Sequence, residues 1–238
     1  MALHRASLRH NAYKIGGYVS GGSAHAPPAL RIPGTGALAD FNNAYENTHF
    51  NCNTVTYGYT VTQVKPGLRS VSFGPPAGAP ASDLCYYLPY RDNNITSVVL
   101  GAGADTFFTD NLSGCSIFID RTAAGAIVVY HANRQGADYS PTVEQRRNFS
   151  FEREVAVAVK HVQHDTAQLA TYAGATHLGS LFKKRYMSDA AQHEAILRFG
   201  GQGDTTVYGT TVAGFRRGGN WLFWYQTWKC DMGGNNYA

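Results

Sequence analysis

Short runs of β-branched and aromatic residues, separated by turn residues, constrain the fold of this chain more than any other feature of its sequence. Runs of this kind are typical of strands in antiparallel sheets. The sequence therefore predicts an α+β fold, a mostly antiparallel β-sandwich with one or two flanking helices. The predicted strands include residues 97–100, 116–120, 127–131, 205–215 and 221–228, and the last two flank a hairpin turn at Arg217-Gly218-Gly219-Asn220.

Segments in the second half of the chain predict the flanking helices and one more strand. Residues 190–199 are helix formers that follow a capping Ser188 or Asp189 and end at two glycines, so they predict a helix. Residues 166–173 indicate a second helix. Residues 154–160 alternate with a period of two, which predicts a strand. The aromatic run at 221–228 is more typical of a strand with core on both faces than of a ligand platform.

The chain of 238 residues is predicted to form one domain over residues 1–238 and to be a monomer. Residues 1–30 contain paired glycines and prolines, so we expect a loosely structured N-terminal segment. Residues 74–80 are rich in glycine and proline, which indicates a surface loop or an internal boundary.

The charge and hydropathy of the chain argue against a nucleic-acid partner and against a membrane span. The formal net charge is +4, and the basic residues are scattered, whereas a nucleic-acid surface needs a clustered basic stripe. We therefore expect no nucleic-acid partner. No apolar run is long enough to cross a bilayer, and residues 1–17 lack the apolar centre of a Sec-type signal. The sequence predicts no membrane span, and any export would use another route.

The chain has four cysteines, at Cys52, Cys85, Cys115 and Cys230. None is paired as Cys-x-x-Cys, so neither a zinc ribbon nor a thioredoxin motif is predicted. His161 and His164, next to Asp165, would point to opposite faces of a strand, which argues against a metal site there. We therefore predict no metal, and we expect no organic cofactor.

One predicted hairpin brings a cysteine close to a histidine. Cys115 precedes the apolar strand 116–120, and His131 ends the strand 127–131 after a glycine-containing turn. A hairpin centred on Ala123 pairs Ile117 with Val129 and Cys115 with His131. Directly opposed residues project on the same side of a sheet, so this register places the thiol beside the imidazole.

A thiol beside an imidazole is the pair that nucleophilic catalysis at a carbonyl carbon requires. The imidazole accepts the thiol proton, and the thiolate attacks the carbonyl. Gly114 would allow close approach of a substrate or a positive φ angle, and the Cys115 N–H is a natural oxyanion donor. Asn111 and Ser113 are further donor or positioning candidates. Thr109, Asp110, Asn111 or a backbone carbonyl could orient His131.

The stretch from Thr109 to Asn133, with Leu112-Ser113-Gly114-Cys115 before an apolar strand and His131 on the next strand, resembles the glutamine-deamidating bacterial toxins. These include the catalytic domain of cytotoxic necrotizing factor and the Burkholderia lethal factor. The resemblance covers about 25 residues and implies that Cys115 is the nucleophile and His131 the general base and acid. Thr109 lies where the lethal factor has the third member of its catalytic set.

The resemblance also implies a biological setting. The substrate would be a glutamine of a host protein, with Rho-type GTPases and a translation-initiation helicase as the family's targets. The chain would be a secreted or translocated effector that acts in the host cytoplasm. The turn before His131 is longer than in the lethal factor, which leaves the choice of substrate open.

Other functions fit the same residues. In a transglutaminase the same pair would form the same thioester, and an amine would replace water in the second step. A cysteine protease would use the pair to cut a backbone amide. A β-sandwich binding module with an inert Cys115 is the non-enzymatic alternative. Thiol reactivity separates these classes, because only a catalytic Cys115 should react faster than the other cysteines.

Overall fold

The computed structural model describes residues 12–15, 49–52, 56–65, 68–74, 78, 80–89, 94–112, 114–133, 149–186, 206–231 and 236–237. The strands in these ranges are β1 (Ala12–Ile15), β2 (His49–Cys52), β3 (Thr56–Lys65), β4 (Leu68–Gly74), β5 (Leu84–Leu88), β6 (Ile95–Leu100), β7 (Thr106–Thr109), β8 (Ser116–Arg121), β9 (Ile127–Ala132), β10 (Thr176–Leu181), β11 (Thr206–Arg217), β12 (Asn220–Asp231) and β13 (Asn236–Tyr237). The helices in these ranges are α1 (Phe149–Thr171), the single-turn α2 (Lys183–Tyr186) and a short 3-10 helix at Ala81–Asp83.

The described strands form two sheets. The larger sheet has eight strands in the order β1-β4-β3-β5-β7-β11-β12-β13, and the smaller has five in the order β10-β8-β9-β6-β2. Most neighbours are antiparallel, while the pairs β1–β4, β2–β6 and β5–β7 are parallel. The predicted fold, a mostly β α+β sandwich, is confirmed.

Buried apolar side chains form three clusters: one between the sheets, one between the smaller sheet and α1, and one on the outer face of the larger sheet. The largest cluster lies between the sheets and draws on β5 and β7 of the larger sheet and β6, β8 and β9 of the smaller. A second cluster lies between the smaller sheet and α1, which contributes Ala167. A third covers the opposite face of the larger sheet and includes Tyr57, Tyr87 and Phe108. Alternate residues of β8 therefore face two different layers, one between the sheets and one under α1.

Several predicted elements are confirmed. β6, β8 and β9 occur where strands were predicted, and β11 and β12 form the predicted hairpin, with Gly218 and Gly219 at positive φ in the turn. The helix predicted at 166–173 corresponds to the end of α1. The helix predicted at 190–199 lies outside the described residues.

Other predictions need correction. Residues 154–160, predicted as a strand, belong to α1. Three valines alternate with two alanines in this run. Alanine favours helices, and packing on the smaller sheet outweighs the period-two pattern. In the N-terminal segment that was expected to be loosely structured, Ala12–Ile15 forms a strand paired with β4. Strands on both sides of residues 74–80 pair within one sheet, so this segment joins parts of the same sheet.

The aromatic run on β12 is only partly core. Trp221 and Phe223 pack against the cluster between the sheets, and Trp224 packs on the other face of the larger sheet. Leu222 and Tyr225 are exposed. Within the described part of the chain, no helix is both long and apolar enough to span a membrane.

Candidate active site

The hairpin of β8 and β9 has a register two residues away from the predicted one. Ile117 pairs with His131, and Ile119 pairs with Val129. The turn spans residues 122–126, where the Thr122 N–H donates to Ala126 O and Gly125 has a φ of 85°. The hairpin is therefore centred on Ala124 and not on Ala123, and the predicted direct pairing of Cys115 with His131 is wrong.

A shift of two residues leaves the faces of the strands unchanged. Because side chains alternate, Cys115 projects on the same side as Ile117, the residue opposite His131. Cys115, Ile117 and Val129 all belong to the cluster between the sheets. Cys115 and His131 are thus diagonal neighbours on one face, a spacing that long and aromatic side chains can bridge. Both residues are buried, His131 completely and Cys115 with 5% exposure.

The group that orients His131 comes from the other sheet. Thr109 at the end of β7 has its Oγ1 atom 2.7 Å from His131 Nδ1 and 2.8 Å from Leu88 O. A carbonyl oxygen can only accept, so the hydroxyl proton goes to Leu88, and the hydroxyl oxygen accepts from Nδ1–H of His131. This arrangement places the proton of a neutral imidazole on Nδ1 and its lone pair on Nε2, the nitrogen that can act as a base.

The surroundings of His131 favour its neutral form. Burial, followed by the positive charge of Lys160, lowers the pKa of His131 from its ordinary value of 6.5 to about 3. The imidazole is therefore uncharged near neutral pH. It can accept a proton, but a lasting imidazolium would be destabilised in this site.

Lys160 of α1 is a site residue that sequence reasoning missed. Its side chain is 6% exposed, and Nζ donates to Gly114 O over 2.6 Å. Gly114 O and the Cys115 N–H belong to the same peptide unit. A charged donor on the carbonyl polarises that unit and makes its N–H a stronger donor.

Tyr186 and Thr96 complete the surroundings of the pair. The Tyr186 hydroxyl in α2 donates to Cys115 O over 2.9 Å, and burial raises the pKa of Tyr186, so this donor stays protonated. Thr96 of β6 pairs with His131 on its other side, and its hydroxyl donates to Pro89 O. Both residues are far from Cys115 in the sequence, and no local spacing indicates them.

Asp110 and Asn111, two further predicted positioning residues, form hydrogen bonds with Tyr87 and Thr211. Asp110 accepts a hydrogen bond from the Tyr87 hydroxyl, and Asn111 Oδ1 accepts one from Thr211 over 3.0 Å. Ser113 lies outside the described residues. Gly114 is not among the positive-φ glycines, so of the two predicted reasons for a glycine there, the positive φ angle is wrong. A Cβ atom at Gly114 would meet no atom of the described residues within 4 Å, so these residues leave open space at this backbone.

Cys85 provides an internal contrast to Cys115. It is a free cysteine on β5, fully buried on the opposite face of the larger sheet among Tyr57, Tyr87 and Phe108. Burial raises the pKa of the Cys85 thiol, which favours its protonated form.

A second polar cluster lies on the other face of β8. Asp120, His164 and His177 have donor atoms within 4.8 Å of one another and could hold a metal ion. The sequence argument against metal assumed that His161 and His164 lie on a strand. They lie on α1, where residues three apart share one side of a helix, so that argument does not apply.

No protein-family model matches this chain, and a search of curated proteins finds no similar sequence.

Proposed function

We propose that the protein is a glutamine deamidase, a toxin or effector that converts a glutamine of a host protein to glutamate through a thioester on Cys115. The hydrogen bond between Thr109 and His131 is the observation that carries this proposal. It joins the two sheets and fixes the tautomer with a basic Nε2 on the face that Cys115 shares. The resemblance to the toxin deamidases supports a glutamine side chain as the substrate.

The first half of the reaction forms the thioester. His131 Nε2 accepts the Cys115 proton as the sulfur attacks the carboxamide carbon, and the carbonyl oxygen becomes an oxyanion. His131 then gives the proton to the nitrogen, the C–N bond breaks and ammonia leaves. The imidazolium exists only while the oxyanion is present, and its opposite charge offsets the destabilisation that burial imposes on His131.

The second half regenerates the cysteine. After ammonia leaves, the oxygen of a water molecule attacks the thioester carbon, and neutral His131 accepts a proton from that water. The C–S bond breaks, the sulfur regains its proton and glutamate is released. Water is the only co-reactant, so the atoms and electrons balance without a cofactor.

Lys160 would assist where negative charge develops. Its ammonium group polarises the peptide between Gly114 and Cys115, and the Cys115 N–H then binds the oxyanion more strongly. The same charge disfavours a protonated His131 in the resting enzyme. Lys160 is therefore a positioning residue, since it acts through the peptide and not on the substrate.

The open space at Gly114 offers a test of substrate approach. A methyl group fits there without a clash, so Gly114→Ala should leave the unfolding midpoint nearly unchanged. If the substrate amide occupies this space, activity should fall by about 10²-fold or more, the size of a lost oxyanion contact. Unchanged activity in a folded variant would place the substrate elsewhere.

Quantitative mass spectrometry of host proteins tests the function directly. A host-cell lysate, and purified Rho-type GTPases and initiation helicases, are incubated with the wild-type protein or with Cys115→Ser. We expect one glutamine of one protein to become glutamate with the wild type and to remain glutamine with the variant. Amine incorporation at that glutamine would indicate a transglutaminase, and backbone cleavage a protease. No modification of any kind would leave the non-enzymatic binding module.

A further inference from the structure

The helix-facing side of β8 carries a buried carboxylate held between two histidines. Asp120 on β8 and His177 on β10 are direct cross-strand partners, and His164 reaches the same point from α1. Asp120 Oδ2 lies 2.8 Å from His164 Nε2, and Asp120 Oδ1 lies 2.9 Å from His177 Nδ1. Asp120 is completely buried and His164 nearly so, while the His177 side chain is 41% exposed.

A second carboxylate lies on the far side of His164. His164 Nδ1 lies 3.1 Å from the exposed carboxylate of Asp165. A neutral imidazole that donates Nδ1–H to Asp165 directs the lone pair of Nε2 towards the cluster, where it can bind a metal ion. Without a metal ion, the other tautomer donates Nε2–H to Asp120 Oδ2 over 2.8 Å, and a bound ion would replace that proton. A carboxylate behind a histidine is also the usual outer partner of a metal-binding imidazole.

The remaining neighbours fix the donor atoms in place. Gln168 Nε2 donates to Asp120 Oδ2 over 2.8 Å, and the His164 ring stacks on Phe118 with centroids 4.3 Å apart. The two carboxyl oxygens of Asp120 lie 2.8 Å from His164 Nε2 and 2.9 Å from His177 Nδ1, so the carboxyl group is held between the two rings. Two imidazoles and one carboxylate are a donor set that suits zinc and related transition metals better than magnesium or calcium.

We propose that Asp120, His164 and His177 bind one divalent transition-metal ion, with zinc as the best fit. Donors about 2.0–2.2 Å from a shared ion lie at most about 4.4 Å apart, and the donors here lie within 4.8 Å. The half-exposed His177 side chain can supply the small closing movement. Its exposed side also leaves room for water or a further ligand to complete the coordination.

The ion would connect α1 to two strands of the smaller sheet. His164 lies one helical turn after Lys160, which contacts Gly114 O beside the candidate nucleophile. Metal binding at the helix-facing side of β8 would therefore hold in place the helix whose Lys160 contacts Gly114 O. The metal proposal itself does not depend on any activity of Cys115.

Metal titration of the full chain tests the proposal. The protein is stripped with a chelator in the Cys115→Ser background, so that this thiol cannot bind metal. Zinc is then followed by calorimetry and by thermal unfolding, and cobalt by its visible absorption. We expect one ion per chain, a rise in the unfolding temperature, and the cobalt spectrum of nitrogen and oxygen donors.

Three variants locate the site. His177→Ala should weaken binding at least tenfold, and Asp165→Asn should weaken it by about tenfold, as expected for a ligand and its outer partner. Both side chains are substantially exposed, so both variants should fold. His161→Ala is the matched control, because its ring packs on Phe118 and Phe182 and the substitution should leave affinity unchanged. Binding of no ion, or equal affinity in His177→Ala, would overturn the proposal and leave a hydrogen-bonded cluster.

Discussion

The two faces of β8 bury histidines in opposite electrostatic settings. On the face between the sheets, His131 contacts the uncharged hydroxyl of Thr109 and lies near the cation of Lys160. On the face under α1, His164 contacts the buried carboxylate of Asp120. Both imidazoles are buried, so burial alone does not distinguish them.

The difference shows what each face can do. A neutral imidazole has a free lone pair that can accept a proton, but its low pKa makes the protonated form costly unless a negative charge forms beside it. A carboxylate between two imidazoles is instead a set of donor atoms that could hold a metal ion. One strand of six residues thus separates the proposed site for proton transfer from the proposed site for metal binding.

The largest expected effect comes from removing the base on the face between the sheets. His131→Gln should lower the rate of deamidation about 10⁴-fold, because the Cys115 proton then has no acceptor. The rate is measured by single-turnover mass spectrometry on the modified host protein. His161→Gln, which alters a histidine of α1 packed on Phe118, is the control and should retain activity. Comparable losses in the two variants would mean that the effect is structural.

The pH dependence of stability sharpens the comparison next. The folded-state pKa of His131 is about 3 and its ordinary value is 6.5, so the unfolded chain binds the proton more tightly. The stability from neutral His131 is complete above pH 6.5 and is lost as the pH falls towards 3. Between pH 7 and 4 this amounts to on the order of 3 kcal/mol.

Urea unfolding at both pH values measures this loss in the wild type and in His131→Gln. The variant should lose less, because it has no imidazole to protonate. The remaining loss includes that from Asp120, whose lowered pKa acts in the same direction. Equal losses in the two proteins would show that His131 is not the group with the lowered pKa.

The hydroxyl of Thr109 should matter less than the base it orients. Thr109→Val removes the acceptor for Nδ1–H of His131, and activity should fall about 10²-fold, while Thr109→Ser should stay within a few fold. Nitrogen NMR of His131 should show the proton on Nδ1 in the wild type and a changed tautomer mixture in Thr109→Val. An unchanged tautomer would exclude Thr109 as the orienting group.

Lys160 should have the smallest effect of the four. Lys160→Met should lower kcat about tenfold with little change in KM, because the oxyanion donor weakens while substrate binding is kept. The pKa of His131 should rise above about 3 yet stay below 6.5, because burial, the larger cause, remains. NMR titration of His131 checks this shift. A His131 pKa that does not move would contradict the electrostatic role of Lys160.

The sequence predicted the strands better than the site. The runs at β8 and β9 identified the hairpin, but the register depended on a turn over residues 122–126 that local pattern did not fix. The error was two residues, so the shared face of Cys115 and His131 survived it. Thr109 was found because it lies close to Cys115 in the chain and because of the resemblance to the toxin deamidases.

Contacts between distant segments could not be predicted in the same way. Lys160 and Tyr186 reach the backbone at Gly114 and Cys115 from helices 46 and 71 residues away. The alternation at 154–160 also favoured a strand, which hid both Lys160 and the alignment of His164 with Asp120. Tertiary packing determines these placements, and the periodicity of a local segment does not predict contacts between distant segments.

The relative reactivity of two buried thiols tests the central claim most directly. The native protein and His131→Gln are treated with iodoacetamide near neutral pH, and the alkylation rate of each cysteine is measured by peptide mass spectrometry. We expect Cys115 to react faster than Cys85 in the wild type and to lose that advantage in His131→Gln. A Cys115 as slow as Cys85, or one whose rate does not depend on His131, would contradict a thiol–imidazole nucleophile at this site.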